Sequence, residues 1–236
     1  HGGFVAVLIA LVILGVMLVW EWGNLIEERA SDDVDLKDYL PQLNELRHDE
    51  HLPMYQTNVV FLVPRIDGDH IEKAALYSIL DKRPKRAEVY WFVNVTVTDE
   101  PYTQEYSVDM MGTDYIMKVK LYLGFRVGQE VNVYIRQIIH DMMKQGRLPL
   151  QPQKYTISKG RNVGDFQFIL IRKILSNNTV IGKWERQIMQ LKLAIKKMTM
   201  SPENWFGLEY SDVLYENVPL IIGEPRKTRL QERTEN

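Results

Sequence analysis

The stretch SKGRNVGD, Ser158 to Asp165, gathers the groups in this chain best suited to chemistry. Lys159 and Arg161 flank Gly160, and Gly164 follows. A glycine-bearing basic loop beside a strand can offer backbone N–H groups and cations to a phosphate. Lys159, Gly160, Arg161 and Gly164 are therefore the candidate contacts for a ligand phosphate. An ordinary loop between two strands has the same composition, because glycine supplies positive φ and basic residues meet solvent. The spacing matches no established phosphate loop.

Other polar clusters read as structure. DKRPKR, Asp81 to Arg86, reads as a solvated helix end with cations near the last carbonyls. HDEH, His48 to His51, reads as a solvated linker, since the remaining histidines are scattered and fix no ligand geometry. Asp99 and Glu100 read as turn residues. There is no Walker loop, GxSxG elbow, HExxH or GxGxxG. No catalytic residue and no metal ligand is assigned, and the chain does not read as an enzyme. The ten methionines read as core filling.

The elements that must hold these residues begin with an apolar run. Phe4 to Trp20 carries no charge and no polar face. As a helix it spans roughly 26 Å, close to the thickness of a hydrocarbon core. Trp20 and Trp22 stand at its exit, where amphipathic rings favour the headgroup level. A signal peptide would show a positive start and a small-residue cleavage site, and neither is present. Residues 1–23 are therefore read as a transmembrane helix. From Glu21 to Pro53 ten acidic and three basic residues give a balance of −7, within a chain of net charge −2. With no basic excess after the span, the positive-inside rule assigns no orientation. The overall charge provides no field for nucleic acid. The lack of cysteine excludes a disulfide scaffold.

Residues 24–53 read as an acidic amphipathic connector, with Leu36, Leu40 and Leu43 at helical spacing and Pro41 near a helix start. Residues 54–225 read as one mixed α/β domain. TNVVFLV and EVYWFVNVTVT are strands. Between them Asp69 is expected to cap a helix with the apolar face Ile71, Ala74, Ala75, Ile79 and Leu80, stopped by Pro84. This is a βαβ unit. A hairpin follows about Gly112-Thr113-Asp114. Its second arm alternates Tyr115, Met117, Val119, Leu121 and Leu123 against Lys118, Lys120 and Tyr122, which predicts one buried and one wet face. VNVYIRQIIHDMMKQG predicts an amphipathic helix closed by Gly146. KYTIS reads as a short strand, and DFQFILIRKIL as β-leaning without excluding a helix. KWERQIMQLKLAIKKMTM reads as a helix with basic last turns, and PLIIG as an edge strand. Residues 226–236 read as a disordered tail.

In this order the motifs resemble the C-terminal portion of the KUP (HAK, KT) family of potassium uptake permeases. His1-Gly2-Gly3 stands where that family opens its last span. Thr57 to Val63 resembles its threonine-initiated strand, Ala74 to Arg86 its helix with a basic end, and Val89 to Glu100 its strand with an acidic turn. Tyr122-Leu123-Gly124-Phe125 and Lys183 to Phe206 continue the likeness. Phe4-Val5-Ala6 departs from the family's usual Trp-Phe-Pro, and YENVPLIIGEP from its usual last strand. The resemblance implies a multi-pass protein of the cell membrane that takes up potassium with protons. Its ion sites would lie in upstream transmembrane spans of the same polypeptide, with none in these residues. It implies a cytoplasmic α/β domain that regulates or forms a homodimer. It makes cyclic di-AMP a possible regulator at the Lys159–Arg161 loop. The competing reading is a single-span, membrane-anchored nucleotide-binding or interaction module.

Overall fold

The computed structural model describes residues 2–29, 32–157, 160–175, 182–198 and 201–220. They fall into two compact units. One comprises residues 1–31, 173–199 and 219–236, the other residues 32–172 and 200–218.

In the first unit, helix α1 runs Gly2–Arg29. An unbroken series of Val, Leu, Ile and Ala leaves no polar stripe, and its apolar side chains stand exposed, Leu11 at 63% and Met17 at 62%. It is long and apolar enough to cross a membrane. Helix α5 (Lys183–Met198) packs against its second half. Ile26 and Met189 are buried in this unit. Gly23 lets the two helices approach, since a Cβ there would stand 2.4 Å from Lys192 Cδ. Lys192 donates to Asn24 Oδ1 at 2.8 Å, forms an ion pair with Glu27 and lies over the Trp20 ring.

The second unit is built on strands β2 (Gln56–Leu62), β5 (Ala87–Thr98), β6 (Gln104–Asp109), β7 (Ile116–Gly124), β8 (Phe166–Leu175) and β9 (Val213–Leu220). Among the described residues they form one sheet in the order β6-β7-β5-β2-β8-β9. Strands β7, β5, β2 and β8 run parallel to one another, and β6 runs antiparallel along β7. Near-continuous Val, Ile and aromatic runs suit strands covered on both faces. Tyr90, Trp91 and Phe92 are all fully buried.

Helix α4 (Val131–Lys144) covers one face. Its Val131, Ile135, Ile138, Ile139 and Met142 recur at helical spacing and meet Val60, Trp91, Met117 and Phe168. Gly146, at φ +69, ends it. The other face is covered by α2 (Leu40–His48) and the 3-10 turn Leu36–Tyr39 before it. Also there are α3 (Lys73–Tyr77), a π turn at Ser78–Lys82, and a small sheet of β1 (Asp33–Asp35), β4 (His70–Glu72) and β3 (Ile66–Asp67). The mixed α/β class, the βαβ unit β2–α3–β5 and the hairpin β6–β7 are thus as expected, and the Phe166–Leu175 segment is a strand.

Three local expectations are overturned. Asp69 caps no helix. It sits in the turn of a β3–β4 hairpin allowed by Gly68 at φ +56, and α3 starts only at Lys73. Residues 154–157 of KYTIS form no strand, and Ser158 lies outside the described residues. Lys118, expected on a wet face, is 4% exposed, because the hairpin turn lies over it. Its ammonium donates to Gly68 O at 3.0 Å and reaches Asp69 at 2.6 Å and Asp109 at 2.7 Å. Residues 221–223 of the expected last strand and the tail from residue 226 lie outside the described residues.

The Lys118 cluster sets an acid limit on stability. Hydrogen bonds from Lys118 and then Lys37 hold the Asp69 carboxyl down at about 2, from an ordinary 3.8. Lys118 likewise lowers Asp109. A depressed carboxylate stabilises the fold above its unfolded value and loses that contribution as pH falls through its folded value. The hairpin's contribution is expected to be complete above about pH 4 and to vanish towards pH 2. Unfolding followed between those values should show a drop that Asp69→Asn flattens.

Candidate functional site

At the start of β2 and β8 the backbone changes from loop to parallel ladder, and polar residues lead both strands. Thr57 and Asn58 precede the apolar run of β2, and Asp165 precedes that of β8. Buried polar groups at such a place need partners, and these come from Gln151 and Asp165 and from Trp91 of β5. Asn58 Nδ2 donates to Gln151 Oε1 at 2.8 Å and to Asp165 O at 3.2 Å. Asn58 Oδ1 accepts from Gln151 Nε2 and from Trp91 Nε1, each at 3.1 Å. Asp165 Oδ1 accepts from the backbone N–H of Thr57 at 3.2 Å and from its hydroxyl.

This network fixes the end of the loop at Gly164 and Asp165. Gly164 is buried, and its N–H donates to Gln151 Oε1 at 3.1 Å. A Cβ there would stand 2.5 Å from Thr57 Cγ2, so the glycine permits the close approach of loop and strand. Gly160 has φ +80 with open space around it. Arg161 turns back on its own loop, and its Nε donates to Val163 O at 3.0 Å. Lys159 lies outside the described residues. Of the expected contacts, the structure therefore brings Arg161 to a cleft, while Gly164 is buried with its N–H directed to Gln151.

The cleft holds about 300 Å³, at the small end of ligand pockets. Gln56, Arg161, Asp165, Phe166 and Phe168 line it, with Arg136 of α4 and Tyr210 to Asp212 of the turn before β9. Arg136 lies over the Phe166 ring at 5.2 Å. Tyr210 is 97% exposed. Gln56 Oε1 is buried there without a hydrogen-bond partner among the described residues. Two guanidinium groups, an open aromatic ring and an unused amide acceptor suit a planar ligand bearing an anionic group. Arg136, Gln56 and Tyr210 went unnoticed in the sequence, because residues of an amphipathic helix, a strand end and a turn meet only in the fold. Thr57-Asn58 ahead of VVFLV did carry a signal: polar residues leading a fully apolar strand require buried partners.

The basic cluster DKRPKR is not a solvated helix end throughout. Lys85 is fully buried. Its ammonium pairs with Glu216 Oε1 at 3.0 Å and donates to Ser78 O at 2.5 Å. Burial lowers the Lys85 pKa, against the pull of Glu216 upward. At HDEH, His48 Nδ1 lies 2.8 Å from Asn44 O, and no cluster of His, Asp and Glu suited to a metal occurs among the described residues.

Comparison with known proteins places this domain. A family profile described as the K+ potassium transporter C-terminal domain matches residues 56–220. The chain is 64% identical over 234 residues to a probable potassium transport system protein Kup of Enterococcus faecalis, covering 99% of this chain and 35% of that protein. It is 53% identical over 232 residues to the corresponding protein of Streptococcus pyogenes, covering 98% of this chain and again 35% of the relative. The chain thus spans about a third of the length of the curated relatives it matches. No solved structure matches it. With a profile match from the start of β2 to the end of β9 and identity along nearly all its length, the chain belongs to the Kup family of potassium transporters and carries that family's C-terminal domain.

Proposed function

We propose that the chain is the C-terminal part of a potassium uptake transporter of the cell membrane, in which α1 is the last span and the α/β domain regulates transport or joins two copies. The observation that carries this reading is the 64% identity to a potassium transport protein over 234 residues. The exposed apolar run of α1 over residues 4–18 supports the membrane part. Ion coordination would fall to upstream spans of the same polypeptide, and potassium would enter with protons. The soluble domain would face the cytoplasm. A domain at this place can bias the cycle only if a ligand or partner prefers one state of the transporter.

The test is potassium uptake in a bacterium lacking its own potassium transporters, comparing the full-length parent with a version ending at Asn24. Uptake that persists but no longer responds to potassium status marks the domain as a regulator. Uptake that vanishes, although the shortened protein reaches the membrane, makes the domain part of transport itself. A full-length parent that moves no potassium would turn the reading to an anchored interaction module.

The cleft beside Arg161 supports an anionic regulator, with cyclic di-AMP as the probe. Charge removal in the double variant Arg136→Gln, Arg161→Gln is expected to weaken binding at least tenfold, since charge-assisted bonds are about twice as strong as neutral ones. Calorimetric titration of the full-length parent reads this out, and unchanged affinity would sink the assignment.

A further inference from the structure

Helix α5 buries Met189 and Lys192 against α1 and leaves a second apolar stripe uncovered. Trp184, Leu191 and Met198 recur every seven residues, two turns apart, and are 79%, 50% and 88% exposed. Gln187 and Ala194 stand between them, also exposed. An uncovered stripe of this kind marks an interaction surface.

The direction of α5 says what covers it. Glu185 lies 3.8 Å from Arg29, whereas Lys192, seven residues later, touches Trp20, Gly23, Asn24 and Glu27. The helices are therefore antiparallel, and α5 climbs from the end of α1 toward its apolar run. From Lys192 the six residues to Met198 rise roughly 9 Å further, to about the level of Leu18. That level lies within the last turn of the uncharged segment. Besides Lys192, which is buried and paired with Glu27, α5 carries Lys183, Arg186, Lys196 and Lys197 against one acid, Glu185. Long cationic side chains can hold their charge at headgroup level while their stems lie in apolar surroundings. Anionic headgroups attract the cations of such a helix near the surface.

We propose that the C-terminal half of α5 enters the headgroup and acyl boundary of an anionic bilayer beside α1, with Met198 deepest, Leu191 shallower and Trp184 on the aqueous side. This rests on the reading of α1 as a span. It makes α5 a membrane-embedded contact of the soluble region rather than a surface helix.

The chain has no cysteine, so single labels can be placed cleanly. Nitroxides would be attached at Ile9→Cys, Trp184→Cys, Leu191→Cys and Met198→Cys. The full chain would be reconstituted in vesicles of equal parts phosphatidylcholine and phosphatidylglycerol. Collision with oxygen, which concentrates in the bilayer, is compared with collision with a water-soluble nickel chelate. The expected result is an oxygen-to-nickel ratio highest at position 9, severalfold above the aqueous value at 198, intermediate at 191 and aqueous at 184. A buried label at 9 with aqueous ratios at 191 and 198 overturns the proposal while leaving the span intact. Aqueous ratios at 9 as well overturn the span and the proposal together. Shielding from both reagents along 184, 191 and 198 shows a second protein copy on the stripe and also overturns it. Vesicles of phosphatidylcholine alone should bring the ratio at 198 toward the aqueous value, and an unchanged ratio would overturn the role given to anionic lipid.

Discussion

Replacing Lys85 with alanine is expected to destabilise the α/β domain by about 3–5 kcal/mol, the cost of breaking a buried ion pair from one side. Lys85 is fully buried and Glu216 is 6% exposed. The ammonium bridges Glu216, Ser78 O and Arg83 O, at 3.0, 2.5 and 3.2 Å. Ser78 donates its hydroxyl to the other oxygen of Glu216. Removal of the cation leaves a buried carboxylate with one neutral donor, and two carbonyls lose a partner. The pair also ties β9 to the π turn after α3, and Lys82 adds a bond to Asn217 O at 2.9 Å. Loss of the pair should therefore loosen the sheet edge as well as lower the melting point. Urea unfolding in detergent, read by near-UV dichroism, measures the loss. The double variant Lys85→Met, Glu216→Leu separates pair from packing. Apolar replacement of both partners should recover most of the stability, because a buried pair is weak evidence of net stabilisation. A single Lys85→Ala within about 0.5 kcal/mol of the parent, the range of an ordinary surface substitution, would show that the site is hydrated.

The contrast between Lys85 and Ile139 explains what could be read from residue order. Ile139 and its companions on α4 repeat at helical spacing, and the spacing alone names the buried face. The strands β2, β5 and β8 were legible for the same reason, as short apolar runs rich in β-branched and aromatic residues. Lys85 and Asp69 follow no local period, and the alternation along β7 put Lys118 on the wet face although it is buried. Their environment comes from partners far along the chain: Ser78 meets Glu216 across 138 residues, and Lys118 meets Asp69 across 49. A lysine inside a basic cluster looks solvated until the element that covers it is placed. Asp69 misled for a different reason. Aspartate before an apolar stretch fits a helix cap and a hairpin turn equally well, and Gly68 at φ +56 decides for the hairpin. The candidate site was half visible. Arg161 stood out by composition, whereas Arg136 and Gln56 reach the same cleft only through the docking of α4 and the order of the sheet.

Asn58→Leu, which keeps the number and branching of the side-chain heavy atoms, is expected to cost about 3 kcal/mol or more, since each buried polar group left unpaired costs about 1–3 kcal/mol. Asn58 is fully buried and holds both polar atoms of the Gln151 side chain and the indole N–H of Trp91. Leucine fills the space but strands that N–H and the amide N–H of Gln151. Gln151 Oε1 keeps only the Gly164 N–H. Trp91→Phe makes the complementary test. It removes the indole donor while Asn58 Oδ1 still accepts from Gln151, so the orphaned group disappears with its partner and the polar loss should be near 1 kcal/mol. The order Asn58→Leu well above Trp91→Phe in denaturant unfolding is the signature of a network rather than of packing, because the tryptophan change removes more volume. The two variants should also differ at the cleft. Asn58→Leu frees the loop at Gln151 and Gly164, so Arg161 loses its fixed position and any anion held with Arg136 should bind more weakly. Trp91→Phe leaves Gln151 paired with Asn58 and the cleft unchanged. Equal effects on anion binding would show that the loop is positioned by something other than this buried amide network.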